Sequence, residues 1–150
     1  MSLRMFINPQ FEYYIVSKLN NIFNNIQGKG FSLSHCNIRS STKNLTLSND
    51  VLCSLDSRPD IVAITETRLS SNSISSLDIP KYIYFFHTDS PTRVGGAALY
   101  VNKVLKAIPR PDLKIDLPLV ESCWVEIVPN NNRKHIMTGC IYKHPLANVE

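Results

Sequence analysis

The chain has no long apolar run. Its longest wholly apolar stretches, Ile61-Val62-Ala63-Ile64 and Ala97 to Val101, are far too short to cross a bilayer, and no apolar segment follows Arg4 as a secretory signal requires. An intracellular chain, nuclear or cytoplasmic and not secreted, is the expectation, with no membrane partner. Glycine is scarce, and no Gly-x-Gly-x-x-Gly, Walker loop, Gly-x-Ser-x-Gly elbow or His-Glu-x-x-His motif occurs, which removes several common enzyme classes. Cys36, Cys53, Cys123 and Cys140 make no Cys-x-x-Cys and no zinc-finger spacing with His35, His87, His135 or His144. Each cysteine sits among Leu, Ile, Val or Trp and is predicted to be a reduced, small buried hydrophobe. No charge of one sign dominates. Sixteen Lys and Arg against 12 Asp and Glu leave +4, compatible with a polyanionic partner but well short of the basic stripe of a dedicated nucleic-acid binder.

What is present fits one ordinary globular domain: 150 residues, 43% hydrophobic and 19% charged. From Asn8 to Gln27 the apolar residues Phe11, Ile15, Leu19, Ile22, Phe23 and Ile26 share a helical face. Asn8 can cap that helix, Pro9 suits its first turn, and Gly28 and Gly30 supply the stop. Residues 1–30 are predicted to be an N-terminal extension carrying this helix, with a domain over 31–150. A strand is predicted over Phe31 to Ile38, and a helix over Lys43 to Ser57 with Leu45, Val51, Leu52 and Leu55 on one face. Arg58-Pro59 closes that helix. Ile61-Val62-Ala63-Ile64 has no polar side, as expected of a strand covered on both faces. Further strands are predicted at Tyr82 to Phe86, Gly96 to Val101, Cys123 to Val128 and His135 to Tyr142, the last two joined by a turn at Asn130-Asn131-Asn132. The fold class is α/β, with an early right-handed crossover unit, later antiparallel meanders and mixed sheets.

Chemistry concentrates at strand tips. Glu66 follows four apolar strand residues and can enter a cleft at the end of a sheet; its plainer reading is a solvated strand-end charge. Asn37 ends the preceding strand. If the two strands are parallel neighbours, an amide and a carboxylate lie side by side as hard oxygen donors, the beginning of a magnesium site. Arg93-Val94-Gly95-Gly96 offers Arg93 as a weak phosphate contact beside bare backbone, although a Gly-Gly before a strand is more often just a turn. Tyr142 can donate its phenol to a phosphate oxygen or simply pack on the sheet.

Taken together, His35-Cys36-Asn37-Ile38-Arg39-Ser40, Pro59 to Leu69 around Thr65-Glu66-Thr67, Arg93 to Val101, Glu121 to Ile127 and Gly139 to Pro145 resemble, in order, blocks of the endonuclease/exonuclease/phosphatase superfamily. The resemblance is to the apurinic-type endonuclease domain of non-LTR retrotransposons. It implies a four-layered α/β sandwich and a divalent-metal phosphodiesterase that nicks DNA for target-primed reverse transcription, with magnesium or manganese as cofactor and DNA as partner. Glu66 matches the metal-binding glutamate, Asn37 the active-site asparagine beside the metal, and Tyr142 the tyrosine that orients the scissile phosphate. Arg68 stands where a Trp usually follows Thr-Glu-Thr, and Lys143 where an Arg is frequent; neither is expected to touch a metal ligand.

The family also has an Asp-x-Asn pair, a further aspartate and a terminal Ser-Asp-His, and these have no counterpart here. None of the seven aspartates is followed two residues later by Asn. The expectation is therefore the N-terminal portion of such a domain, a truncated endonuclease inactive by itself, whose partner would be the missing C-terminal half and whose later strands would expose apolar surface. A phosphatase or RNA-processing nuclease of the same superfamily, and a non-catalytic binding module, are the competing readings.

Overall fold

The computed structural model describes residues 4–5, 12–13, 16–26, 30–69, 78–88, 94–129 and 134–146. In chain order these form β1 (Arg4–Met5), β2 (Glu12–Tyr13), α1 (Val16–Ile26), β3 (Leu33–Asn37), α2 (Ser41–Cys53), β4 (Ile61–Thr65), β5 (Tyr82–His87), β6 (Ala97–Asn102), β7 (Lys106–Pro109), a 3-10 turn (Pro111–Leu113), β8 (Val120–Val128) and β9 (Ile136–Lys143). Helix and strand are mixed, as predicted. Six strands in the order β2-β1-β3-β4-β6-β5 make one sheet and β7-β8-β9 a second.

β4 organises both layers. Its five residues are all buried because they serve two cores. Val62 and Ile64 point to the helices, in a cluster with Leu19 and Phe23 of α1 and Leu52 of α2. Ile61 and Ala63 point the other way, against Leu99 and Val101 of β6 and Val125 and Ile127 of β8. A strand with no polar side is what this position requires, and each of these large side chains contributes about 1.5–3 kcal/mol by leaving water. The second sheet is also tied by a polar contact, Cys140 Sγ donating to the Ile64 carbonyl at 3.4 Å. The described layers are thus helices, six-stranded sheet and three-stranded sheet.

The predicted crossover unit is present: β3 and β4 are parallel with α2 between them, Leu33 opposite Ile61 and Asn37 opposite Thr65. The later strands are antiparallel, as expected. Two expectations are corrected. The first helix begins at Val16 and not at Asn8, because Glu12 and Tyr13 pair with Met5 and Arg4 in a ladder that continues onto β3; Asn8, Pro9, Phe11, Ile15 and Gly28 lie outside the described residues. Leu19 and Phe23 of this helix sit in the same cluster as Val62 and Ile64 of β4. Cys53 is exposed at the end of α2 with its thiol on Asn49 Oδ1, whereas Cys36, Cys123 and Cys140 are buried as predicted and all four are free thiols. β7 went unpredicted because Lys106 to Pro109 has almost no buried side; Pro109 ends this edge strand, where it can be tolerated.

On the outer face of the second sheet, the Trp124 ring lies over Gly139, its direct cross-strand partner, so closely that a Cβ there has no room. Met137 and Ile141 on that face are exposed, in keeping with the apolar surface expected of the later strands. Beside them Arg110 reaches Asp112 through two nitrogens at 2.6 and 2.8 Å and Glu126 at 2.8 Å, while His135 Nδ1 meets the other Glu126 oxygen at 2.5 Å. His135 and Arg110 hold the Glu126 carboxyl below its usual range. A carboxylate depressed in the folded chain adds stability above its unfolded value near 4.5 and loses it as pH falls through the lower folded value. Melting temperature measured from pH 7 to pH 3 is expected to fall less steeply in Glu126→Gln than in the parent chain.

Candidate functional site

The β3–β4 register puts the last residue of each strand at the same level, and both chains turn sharply there. Arg39, Ser40, Glu66 and Arg68 all have positive φ, at 51°, 112°, 55° and 53°. Left-handed backbone at a non-glycine residue stores of order 1–3 kcal/mol and persists only where surrounding structure over-determines it. Here the bonds doing so are Ile38 N to Thr65 O at 3.0 Å, Ser40 N to Glu66 O at 2.8 Å and Arg68 N to Gly95 O at 2.8 Å.

These turns bring Asn37 and Glu66 together. Asn37 Nδ2 donates to Glu66 Oε1 at 2.6 Å, and Asn37 Oδ1 accepts the Arg39 N–H at 3.2 Å. The amide therefore turns its nitrogen, not its oxygen, to the carboxylate. It orients Glu66 and leaves that carboxylate as the hard donor. Two residues back on the same face of β3, His35 Nε2 contacts Thr65 Oγ1 at 3.1 Å, and burial pushes the imidazole pKa down.

The second sheet supplies the opposite wall. Tyr142 and Glu121 are direct partners across β9 and β8. Glu121 Oε2 accepts a very short hydrogen bond from Gly96 N. Gly95 and Gly96, with φ of 115° and 93°, bridge the two sheets: a Cβ on Gly95 would strike Glu121 and the Tyr142 ring, and one on Gly96 would strike Thr67 Oγ1. Both glycines are required by conformation and by space. The Tyr142 hydroxyl is held above its ordinary pKa by burial, then by the negative charges of Glu66 and Glu121, with Arg68 opposing. The Tyr142 ring packs against Gly95, whose carbonyl accepts the Arg68 N–H two residues beyond Glu66.

Asn37 and Glu66 are joined by a hydrogen bond, and Tyr142 lies across the Gly95-Gly96 turn from them; Arg93 lies outside the described residues. Arg68 stands beside Glu66. Its guanidinium stands 4.0 Å from Glu66 Oε2. The sequence assigns no role to Glu121, which stands directly opposite Tyr142 across β8 and β9; the expected turn at Asn130-Asn131-Asn132 lies outside the described residues. Among the described residues no group of three or more His, Cys, Asp or Glu forms a metal cluster. One oriented carboxylate suits only a cation that keeps most of its waters, as magnesium does.

No protein-family model matches the chain, and no curated protein does. Among the described residues no helix is long and apolar enough to cross a membrane.

Two outcomes follow from this geometry. Gly96→Ala is expected to destabilise the chain by roughly 1–3 kcal/mol, the cost of forcing a side chain into left-handed backbone, as read by denaturant melts. Arg68→Ala is expected to strengthen Mn2+ binding about three- to fivefold by calorimetry, since a unit charge at 4 Å in high dielectric competes with about 1 kcal/mol.

Proposed function

We propose that the chain carries the metal-and-phosphate corner of a divalent-metal phosphodiesterase of the endonuclease/exonuclease/phosphatase type, of the branch found in non-LTR retrotransposons, with DNA as substrate. The observation that carries this reading is the Asn37–Glu66 hydrogen bond of 2.6 Å at the ends of adjacent parallel strands, with Tyr142 at the same corner. Magnesium or manganese supplies charge neutralisation at a phosphate oxygen when bound. Glu66 would hold the ion through its carboxylate, Asn37 fixes the orientation of that carboxylate, and the neutral Tyr142 phenol donates to a phosphate oxygen. Raising the Tyr142 pKa serves this role, because only the protonated phenol is a donor. The strained turns at both strand tips support the reading, since such strain collects where side chains must be aimed.

In this reading the helices and two sheets are the first three layers of a four-layered sandwich. The acid/base groups of the full family, which have no sequence counterpart in these 150 residues, would come from further chain completing the domain. The corner alone then binds metal weakly and does not turn over, because positioning and charge neutralisation without a base or leaving-group acid give little rate. The expected outcome is that Mn2+ broadens the NMR signals of Asn37, Glu66 and Tyr142 selectively, that Glu66→Ala removes this broadening, and that nicking of supercoiled DNA does not exceed the Glu66→Ala background. Broadening that survives Glu66→Ala would remove the metal assignment. Metal-dependent nicking lost in Glu66→Ala would mean the chemistry is complete within this chain.

A further inference from the structure

Two of the four free thiols face each other. Cys123 of β8 and Cys140 of β9 are direct cross-strand partners, so both side chains lie on the inner face of the second sheet. There they are 8% and 4% exposed, in the cluster that also holds Ala63, Leu99 and Val125. Direct partners across antiparallel strands have Cα atoms about 4.5–5.5 Å apart, inside the roughly 4.4–6.8 Å over which a disulfide closes. The register alone therefore puts an S–S bond within reach. The other two cysteines stand elsewhere: Cys36 is level with Ile64 on the helix side of the six-stranded sheet, and Cys53 is exposed at the end of α2.

The facing sulfurs hold their protons in a set order. Cys140 Sγ donates to the Ile64 carbonyl at 3.4 Å. The Cys123 thiol donates to the Cys140 sulfur, which pushes Cys140 below the ordinary thiol range and, together with burial, pushes Cys123 above it. Cys140 is thus the sulfur that loses its proton first, and only a thiolate is a nucleophile. Cys123, against it, is placed as the second sulfur. The next pair on the same face, Glu121 with Tyr142, is half-buried, so the dithiol lies one pair, about 7 Å along the strands, from side chains that reach solvent. A water-sized, uncharged oxidant suits that depth better than a peptide disulfide does.

We propose that Cys123 and Cys140 form a dithiol site that hydrogen peroxide, the simplest hydroperoxide, oxidises to an intramolecular disulfide, freeing the Ile64 carbonyl of β4 from its tie to the second sheet. The deprotonated Cys140 sulfur attacks one peroxide oxygen; an S–O bond forms, the O–O bond breaks, and the departing hydroxide joins the proton that Cys140 gave up as water. Cys123 then attacks Cys140 Sγ; the S–S bond forms, the S–O bond breaks, and hydroxide leaves with the Cys123 proton as a second water. Two electrons pass from the sulfurs to the peroxide. The Cys140 proton that reached Ile64 O is gone in the product. Ile64 stands two residues before Glu66 and Cys140 two before Tyr142, so oxidation acts on the strands that carry both. None of the reacting atoms belongs to the metal site proposed at Glu66, and the dithiol stands whether or not that site binds an ion.

The test uses the full chain with Cys53→Ser, a change at an exposed position that removes pairing between molecules. The protein is treated with hydrogen peroxide, quenched with catalase, blocked with N-ethylmaleimide in denaturant and mapped by mass spectrometry after tryptic digestion without reductant. Of its three thiols only Cys36 is expected to carry the blocking group, with the peptides of Cys123 and Cys140 joined and two hydrogen atoms lighter than their sum; dithiothreitol restores both thiols. The Ile64 carbonyl 13C signal is expected to move on oxidation and return on reduction. Cys123→Ala in the same background is expected to stop at a sulfenic or sulfinic acid on Cys140, with no linked peptide. Because the linkage is read on Cys53→Ser itself, a failure of Cys123→Ala to fold leaves that reading intact. A link from Cys36 to either sulfur, Cys140 oxidised while Cys123 stays a free thiol in Cys53→Ser, or three unreacted thiols under peroxide that oxidises the unfolded chain would overturn the proposal. So would a Cys123–Cys140 link that leaves the Ile64 carbonyl signal unmoved.

Discussion

The parallel register of β3 on β4 is the constraint on which the site depends. Asn37 opposite Thr65 brings the amide within 2.6 Å of the Glu66 carboxylate. Side chains alternate with a period of two along a strand, so a slip of one residue would send Asn37 to the helix side and bury Cys36 against the second sheet. The two cores forbid that slip. Val62 and Ile64 are locked among α1 and α2 and Ile61 and Ala63 among β6 and β8, so β4 has one admissible register.

The corner is nonetheless a two-sheet object. Glu66 belongs to the six-stranded sheet and Tyr142 to the three-stranded one, and the Gly95-Gly96 turn is the hinge piece between them. Its carbonyls accept from Thr67 N and Arg68 N on one side, and Gly96 N donates to Glu121 on the other. Cys140, on the same face of β9 two residues before Tyr142, reaches the Ile64 carbonyl two residues before Glu66. The hydrophobic interlayer sets the spacing of the sheets, and these few polar ties set the aim of the side chains above it.

Much of this was legible before any coordinates. The apolar run Ile61 to Ile64 and the alternation in β8 and β9 each follow from local rules, and they place Asn37, Glu66 and Tyr142 near strand ends, whereas α2 stops at Cys53, short of the Arg58-Pro59 stop expected from the sequence. Less legible were features decided by tertiary contact. β7 carries no burial pattern to read, Glu12-Tyr13 left the helical stripe for a ladder, and Cys53 on α2 looked apolar in sequence yet faces solvent. Within the site, the orientation of the Asn37 amide depends on the Arg39 N–H, held by the peptide plane between Ile38 and Arg39 in an Asx-turn contact two residues on. The approach of Arg68 to Glu66 likewise comes from a positive φ that no propensity anticipates at arginine.

Anomalous diffraction from crystals soaked in manganese tests the central claim most directly. The account predicts one strong peak about 2.0–2.2 Å from a Glu66 carboxylate oxygen, on the side facing Tyr142, with water completing the coordination. A peak at the Asp112–Glu126 pair with none at Glu66, or no ordered peak at all, would contradict it.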